Sequence, residues 1–318
     1  MLKAVIAVLV LACVWVWVLQ RAARHEARAE AEFPPKGQII EIDGHKVHAL
    51  VMGEGPDLVL LHGSGGNIRD LTLSLAPELA GSYRVILLDR PGHGYTERIN
   101  NTGATIRQQA ALLSAAARRL GAEKPIVLGH SYGGAVALAW AVYEPEHIAA
   151  LIPLAAPSNP WESALPTYYK LTAHALTAPL VNPALTAFVP DERVEQSVAG
   201  VFDPDPVPEG YLDHFGAGLT LRRDSLRANA LQRRNLLGEI RQMVPLYDQV
   251  RVPTEIVHGD ADLTVGLPIH SEKLVNQIPG AVLTRLPGIG HMPQHAAQDE
   301  VIDAIHRAAE RAGLRPAE

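Results

Sequence analysis

Short apolar runs recur along the chain at residues 58–61, 83–88, 125–128, 148–154, 254–258 and 282–286, each ending in glycine or polar residues. The runs at 58–61, 83–88 and 125–128, short and partly β-branched, predict buried strands, and the other three predict strands as well. Between them lie stretches with helical periodicity, about 71–80, 105–120, 135–143, 268–277 and 298–312. Buried strands alternating with helices predict a mainly parallel sheet covered on both sides. Ahead of them, residues 37–43 and 45–52 alternate apolar and polar positions around Asp43-Gly44. That is a hairpin signal, and it adds antiparallel strands at one edge.

The pattern breaks twice. Residues 156–245 carry many prolines, aromatics and short helical pieces, among them Pro157, Pro160, Trp161, Tyr168, Tyr169 and Pro183. They read as a helical insertion covering the sheet's carboxyl edge, with Arg222-Arg223 and Arg233-Arg234 on a solvated helix face. The second break is residues 4–19, which contain no charged or strongly polar side chain. With Leu2 and a snorkelling Lys3, this run approaches the roughly 17–25 residues that span a bilayer. Trp15 and Trp17 suit an aromatic belt. A cleaved signal peptide competes, but its best cleavage motif, Ala29-Glu30-Ala31, lies beyond Arg21, Arg24 and Arg28, well past the apolar run. The expectation is an uncleaved single-pass anchor over residues 1–20, an exposed linker over 21–36 ending at Pro34-Pro35, and one domain over 37–318. The three arginines after the span point to a cytoplasmic domain.

Composition narrows the classes. The chain has 318 residues, 47% of them hydrophobic and 19% charged, which supplies a core and excludes a disordered composition. Net charge is -6 and no basic stripe appears, which speaks against nucleic acid as a partner. Cys13 is the only cysteine, so neither a disulfide framework nor a cysteine metal site is possible.

The candidate chemistry centres on Gly129-His130-Ser131-Tyr132-Gly133-Gly134, between the strand at 125–128 and the helix from 135. A serine in so sharp a strand-to-helix turn takes a strained backbone, and the glycines Gly129 and Gly133 make room for it. Such a serine needs a base, and the base needs an acid to hold its tautomer. Catalytic groups in this architecture gather beyond the carboxyl ends of the strands. After the strand at 254–258 come Asp260 and Asp262; after that at 282–286 comes His291. His291 and His295 are four apart, but no glutamate follows His291 and Pro293 interrupts the helix, so no metal is predicted, and no cofactor. His62, His93 and His130 read as groups that anchor loops around the site.

These segments resemble the α/β-hydrolase superfamily, in its serine hydrolase branch, from about residue 37 to the C-terminus. The resemblance rests on His62-Gly63, Asp89-Arg90-Pro91-Gly92-His93-Gly94, Gly129-His130-Ser131-Tyr132-Gly133, Gly259-Asp260-Ala261-Asp262 and Gly290-His291. It implies an α/β-hydrolase fold with a cap at about 156–245. It implies Ser131 as nucleophile, His291 as general base and Asp262 as the acid that orients it, with Asp260 the rival acid. The oxyanion hole would use the backbone N–H groups of Ser64 and Tyr132. The loop reads His62-Gly63-Ser64-Gly65 and not the H-G-G-G of one lipase group, so Ser64 is expected to act through its backbone.

The implied activity is hydrolysis of a carboxylic ester of an apolar small molecule or lipid through an acyl-enzyme, by an enzyme whose other partner is the bilayer. Carbon–carbon bond hydrolases and cofactor-free perhydrolases share the triad and remain open. A non-catalytic binding protein on the same fold is the alternative from another class. The sequence assigns no oligomeric state.

Overall fold

The computed structural model describes residues 1–316. Eight strands form one sheet: β1 (Gln38–Ile42), β2 (His45–Met52), β3 (Asp57–Leu61), β4 (Arg84–Leu88), β5 (Ile126–His130), β6 (Ala150–Leu154), β7 (Glu255–Gly259) and β8 (Val282–Leu286). Their spatial order is β1-β2-β4-β3-β5-β6-β7-β8. The β1–β2 and β2–β4 pairs are antiparallel, and every other pair is parallel. The hairpin signal at Asp43-Gly44 therefore builds the antiparallel edge. Both turn residues take positive φ there, as a tight hairpin turn of this kind demands.

In chain order, α1 (Leu2–Glu32) precedes the sheet, and α2 (Ile106–Arg119) and α3 (Tyr132–Tyr143) follow β4 and β5. The cap between β6 and β7 contains α4 (Thr167–Ala173), α5 (Ala178–Phe188), α6 (Asp191–Ala199) and α7 (Arg223–Met243), and α8 (Gln298–Arg311) closes the domain. Side-chain alternation splits each strand between two core layers. Val59 and Leu61 pack under α2 and α3, whereas Leu58 and Leu60 pack under α8. Helix α2 starts at a capping box, with Thr105 and Gln108 each bonding the other's backbone N–H. Helix α3 is apolar almost all round because it is buried almost all round.

The structure departs from expectation at both ends of a long-range contact. Residues 21–36, expected as an exposed linker, are helical as far as Glu32, in the second half of α1. Ala22 and Ala29 are buried on the face that meets the cap. Arg223, expected on a solvated face, binds the Glu26 carboxylate through Nε at 2.8 Å and Nη2 at 2.6 Å. Arg222 reaches Glu30 at 3.0 Å, and Asp191 accepts from Arg28 at 3.1 Å. Burial works against the Glu26 charge, but the bonds from Arg223 outweigh it and hold this carboxyl below its usual range. Partners 163 to 197 residues apart in sequence make these contacts, so no local pattern announces them.

Candidate active site

The turn after β5 is as tight as its glycines suggest. Ser131 sits at φ 52°, ψ -120°, outside the regions that L-residues ordinarily occupy. A Cβ on Gly133 would lie 2.5 Å from the Leu61 carbonyl oxygen and 2.6 Å from that of His62. One on Gly129 would overlap the Gly133 backbone, and one on Gly134 the Ala156 side chain. Three glycines therefore let β5, α3 and the end of β3 approach one another around the serine.

The structure brings together the residues singled out beyond the strand ends. His291 Nε2 is 2.9 Å from Ser131 Oγ, and His291 Nδ1 is 2.7 Å from Asp262 Oδ2. All three residues are buried, at 6% exposure or 7% at most. The carboxylate accepts at Nδ1–H, so Nε2 is free to accept the serine proton. Asp260, the rival acid, turns away and accepts from Gly288 N–H at 2.7 Å, steadying the loop that carries His291.

Asp262 has more partners than the sequence suggested. Its Oδ1 accepts from the N–H groups of Thr264 and Val265 at 2.7 and 2.8 Å. Its Oδ2 also takes a hydrogen bond from His258 Nε2 at 3.1 Å. That nitrogen faces the Val265 carbonyl as well, at 2.8 Å, so it carries the proton, while His258 Nδ1 accepts from the Ser271 hydroxyl at 2.6 Å. Burial opposes the Asp262 charge, but the bonds from His258 and His291 outweigh it and hold the carboxyl well below its usual range. His258 was legible only as the last residue of a strand.

The neighbouring loops are fixed by a buried arginine. Arg90 is fully buried, and among the described residues no carboxylate bonds its guanidinium. It donates from Nε to the His62 carbonyl at 2.9 Å, from Nη2 to the Gly63 carbonyl at 2.8 Å, and from Nη1 to Gln109 and Gln232 at 3.0 and 2.9 Å. Its guanidinium carbon lies 4.5 Å from the centre of the Tyr132 ring. Desolvation lowers its pKa to about 10, and it stays charged at neutral pH. By holding two successive carbonyls outward, Arg90 sets the course of the loop that carries Ser64. Among the described residues, no hydrogen bond within the protein takes the N–H of Ser64 or of Tyr132. Ser64 was expected to act through its backbone alone, yet its hydroxyl also donates to Asn229 of α7 at 2.7 Å, tying this loop to the cap.

The remaining histidines anchor loops. His62 accepts from Arg90 N–H at Nε2 and bonds the Gly63 carbonyl through Nδ1; burial and the nearby Arg90 charge keep it neutral. His130 donates from Nε2 to the His291 carbonyl at 2.9 Å, and burial lowers its pKa to about 4. His93 is buried beside the cavity. His295 turns to the buried Asp70 at 3.1 Å, which Tyr211 also bonds at 2.8 Å.

A cavity of about 470 Å³ lies between the Ser64 loop and the cap, and neither Ser131 nor His291 is among its lining residues. Ser64, Gly65 and Asn67 form its floor, and Tyr168, Leu185 and Val189 of the cap are among its walls. Ser131 adjoins the loop that reaches this cavity: a Cβ on Gly63, next to Ser64, would meet the serine Cβ at 3.4 Å.

Residues 56–177 match the family model for the alpha/beta hydrolase fold. A 2-hydroxy-6-oxononadienedioate/2-hydroxy-6-oxononatrienedioate hydrolase of Comamonas testosteroni is 26% identical over 274 residues, 84% of this chain and 90% of that one. A dihydrolipoyllysine-residue acetyltransferase component of the acetoin cleaving system of Cupriavidus necator is 37% identical over 112 residues, 35% of this chain and only 29% of that protein. Among solved structures, a bacterial membrane phospholipase A superposes with a TM-score of 0.63 at 20% identity over 100% of both chains, a likeness of fold. Strand order, the strained serine turn and these similarities together show that the chain has the α/β-hydrolase fold, and relatives matched over most of their length include hydrolases.

Proposed function

We propose that the protein is a membrane-anchored serine hydrolase that cleaves carboxylic esters carrying an uncharged, apolar acyl or alcohol group. The observation that carries this reading is the unbroken relay from Asp262 through His291 to Ser131, at 2.7 and 2.9 Å, next to the Ser64 loop that lines a largely apolar cavity. Ser131 Oγ attacks the ester carbonyl while His291 Nε2 takes its proton. The tetrahedral oxyanion rests on the N–H groups of Ser64 and Tyr132, each worth about 3 kcal/mol in the transition state. His291 then protonates the departing alcohol. Water, activated by the same imidazole, releases the acid and restores Ser131. Asp262 keeps His291 in the needed tautomer and stabilises its cation.

The anchor is α1. It is the one helix among the described residues long and apolar enough to cross a membrane, and its apolar part is almost wholly exposed. The full-length likeness to a membrane phospholipase A supports this assignment.

A second reading, hydrolysis of a carbon–carbon bond beside a ketone, draws on the likeness to the Comamonas testosteroni hydrolase. A dioate substrate would need cations inside the cavity. Arg193 is the only Lys or Arg among the lining residues, and it stands exposed on α6. That favours the ester. Ser131→Ala should lower p-nitrophenyl butyrate hydrolysis at least a thousandfold, on the order seen when a triad member is lost, and should abolish fluorophosphonate labelling without altering the circular dichroism. Undiminished turnover in Ser131→Ala would overturn the mechanism. Turnover of a 2-hydroxy-6-oxodienoate in preference to esters would select the second reading.

A further inference from the structure

We propose that the cap carries a second membrane contact: residues 171–190, comprising the end of α4, the following turn and α5, lie in the bilayer interface beside α1. This rests on the reading of α1 as the anchor.

Between Lys170 and Asp191 there is no Asp, Glu, Lys or Arg. Within this uncharged stretch several large apolar side chains are exposed. Leu176 is 79% exposed, Leu180 58% and Phe188 49%, with Leu171 also exposed. Elsewhere on the globular domain, large exposed apolar residues such as Ile39, Leu263 and Val282 are widely separated in sequence and stand on different elements. Isolated apolar residues on a surface need no explanation, whereas a contiguous group marks an interaction site.

The contacts with α1 give the depth. Trp15, Val18 and Ala22 form one stripe of α1, and Ala187 of α5 packs against it. Trp17 meets Phe188 with ring centres 5.6 Å apart. Four residues on, at the start of α6, Asp191 meets His25 and Arg28. The cap thus advances in the same direction as α1, from Ala187 beside Val18–Ala22 to Asp191 beside His25–Arg28. Traced backward, α5 runs toward the apolar half of α1. Seven residues separate Leu180 from Ala187, about 10 Å of helix, so Leu180 lies at the level of the membrane span and not of the charged half of α1, with Leu176 in the turn just before α5. Arg21 marks the boundary. It donates to the Ala187 carbonyl at 2.6 Å and places its guanidinium 5.5 Å from the Phe188 ring, with its charge at the edge of the apolar zone.

The occupant is lipid and not a protein partner. The apolar face of α5 is continuous with that of α1, and the space beside Trp17 is hydrocarbon once α1 spans. An uncharged helix with Leu180 and Phe188 turned outward, bounded by Arg21, Arg24 and Arg28, is an interfacial element. Helix α5 then has two apolar faces: Leu185 lines the cavity, and Leu180 and Phe188 meet lipid.

The test uses the full chain in vesicles of phosphatidylethanolamine and phosphatidylglycerol. The natural Cys13, exposed on α1, carries a nitrobenzoxadiazole fluorophore in the wild type. In a Cys13→Ser background, Leu176→Cys and Leu180→Cys carry it on the cap. Glu146→Cys, exposed beyond the opposite edge of the sheet, is the control. Labels at 176 and 180 should shift their emission to the blue and lose fluorescence to shallow doxyl-labelled lipids, as the Cys13 label does, while the label at 146 does neither. Quenching at Cys13 with water-like, unquenched emission at 176 and 180 overturns the cap contact and leaves the anchor standing. Unquenched labels at all positions overturn the anchor and the cap contact together.

Discussion

Replacing Gly133 by alanine adds one methyl group where three elements converge. Its Cβ would sit 2.5 Å from the Leu61 oxygen and 2.6 Å from the His62 oxygen. Both atoms are backbone, at the end of β3 and the start of the Ser64 loop, so no side chain can swing away to make room. Relief requires α3 to retreat from β3 by at least about 0.5 Å, the gap to a tolerable contact of 3.0 Å. That retreat moves Ser131 and the Tyr132 N–H, on α3, away from the Ser64 N–H, on the loop. Misplacement of about 1 Å at reacting groups costs about a hundredfold. The expectation is a 10- to 100-fold loss in kcat/KM for p-nitrophenyl butyrate, roughly in line with that figure, and a stability loss of about 1–3 kcal/mol from overpacking. Gly238→Ala is the matched control. Gly238 lies within α7 with no atom near its would-be Cβ, so the same methyl group should add about 1 kcal/mol of stability through helix propensity and leave turnover unchanged. Steady-state kinetics and thermal melts on both variants decide the matter. A Gly133→Ala enzyme within about threefold of wild-type kcat/KM would refute the claim that close approach of backbone at the turn sets the geometry.

Other expectations follow from buried charge. Burial of Glu239 on α7, relieved only in part by the Ile106 N–H at 2.8 Å, pushes its pKa up to about 7 from 4.5. The folded state therefore holds a proton that the unfolded chain releases from about pH 4.5, and stability falls as pH rises across that window, by up to about 3 kcal/mol above pH 7. Glu239→Gln should remove this penalty, giving a variant more stable than wild type in urea at pH 8 but not at pH 4; a variant less stable at both would count against it. Arg90→Lys keeps a charge but cannot reproduce the guanidinium's bonds to His62, Gly63, Gln109 and Gln232. It should cost about 3 kcal/mol by leaving buried acceptors unpaired and lower kcat more than it raises KM; unchanged melting and turnover would contradict the role given to Arg90.

The sequence by itself determined the features that depend on neighbours along the chain. Buried strands follow from short apolar runs, the edge hairpin from Asp43-Gly44, and the serine turn from Gly129 and Gly133 flanking Ser131. Asp262 and His291 were legible because each follows a strand parallel to β5, so that both carboxyl ends lie on the edge of the sheet that carries Ser131. Only the tertiary structure decided the rest. Only the family resemblance preferred Asp262 to Asp260, and the 2.7 Å contact with His291 is what separates the two carboxylates in space. Arg90 reads as part of a loop until its guanidinium is seen binding carbonyls 27 and 28 residues away. Arg222 and Arg223 read as solvated until Glu26 and Glu30 arrive from the other end of the chain. Periodicity records whether a face is buried. It does not record which distant side chain covers it, because that depends on how β-strands and helices are stacked, and a charge pair forms only once the stacking is complete.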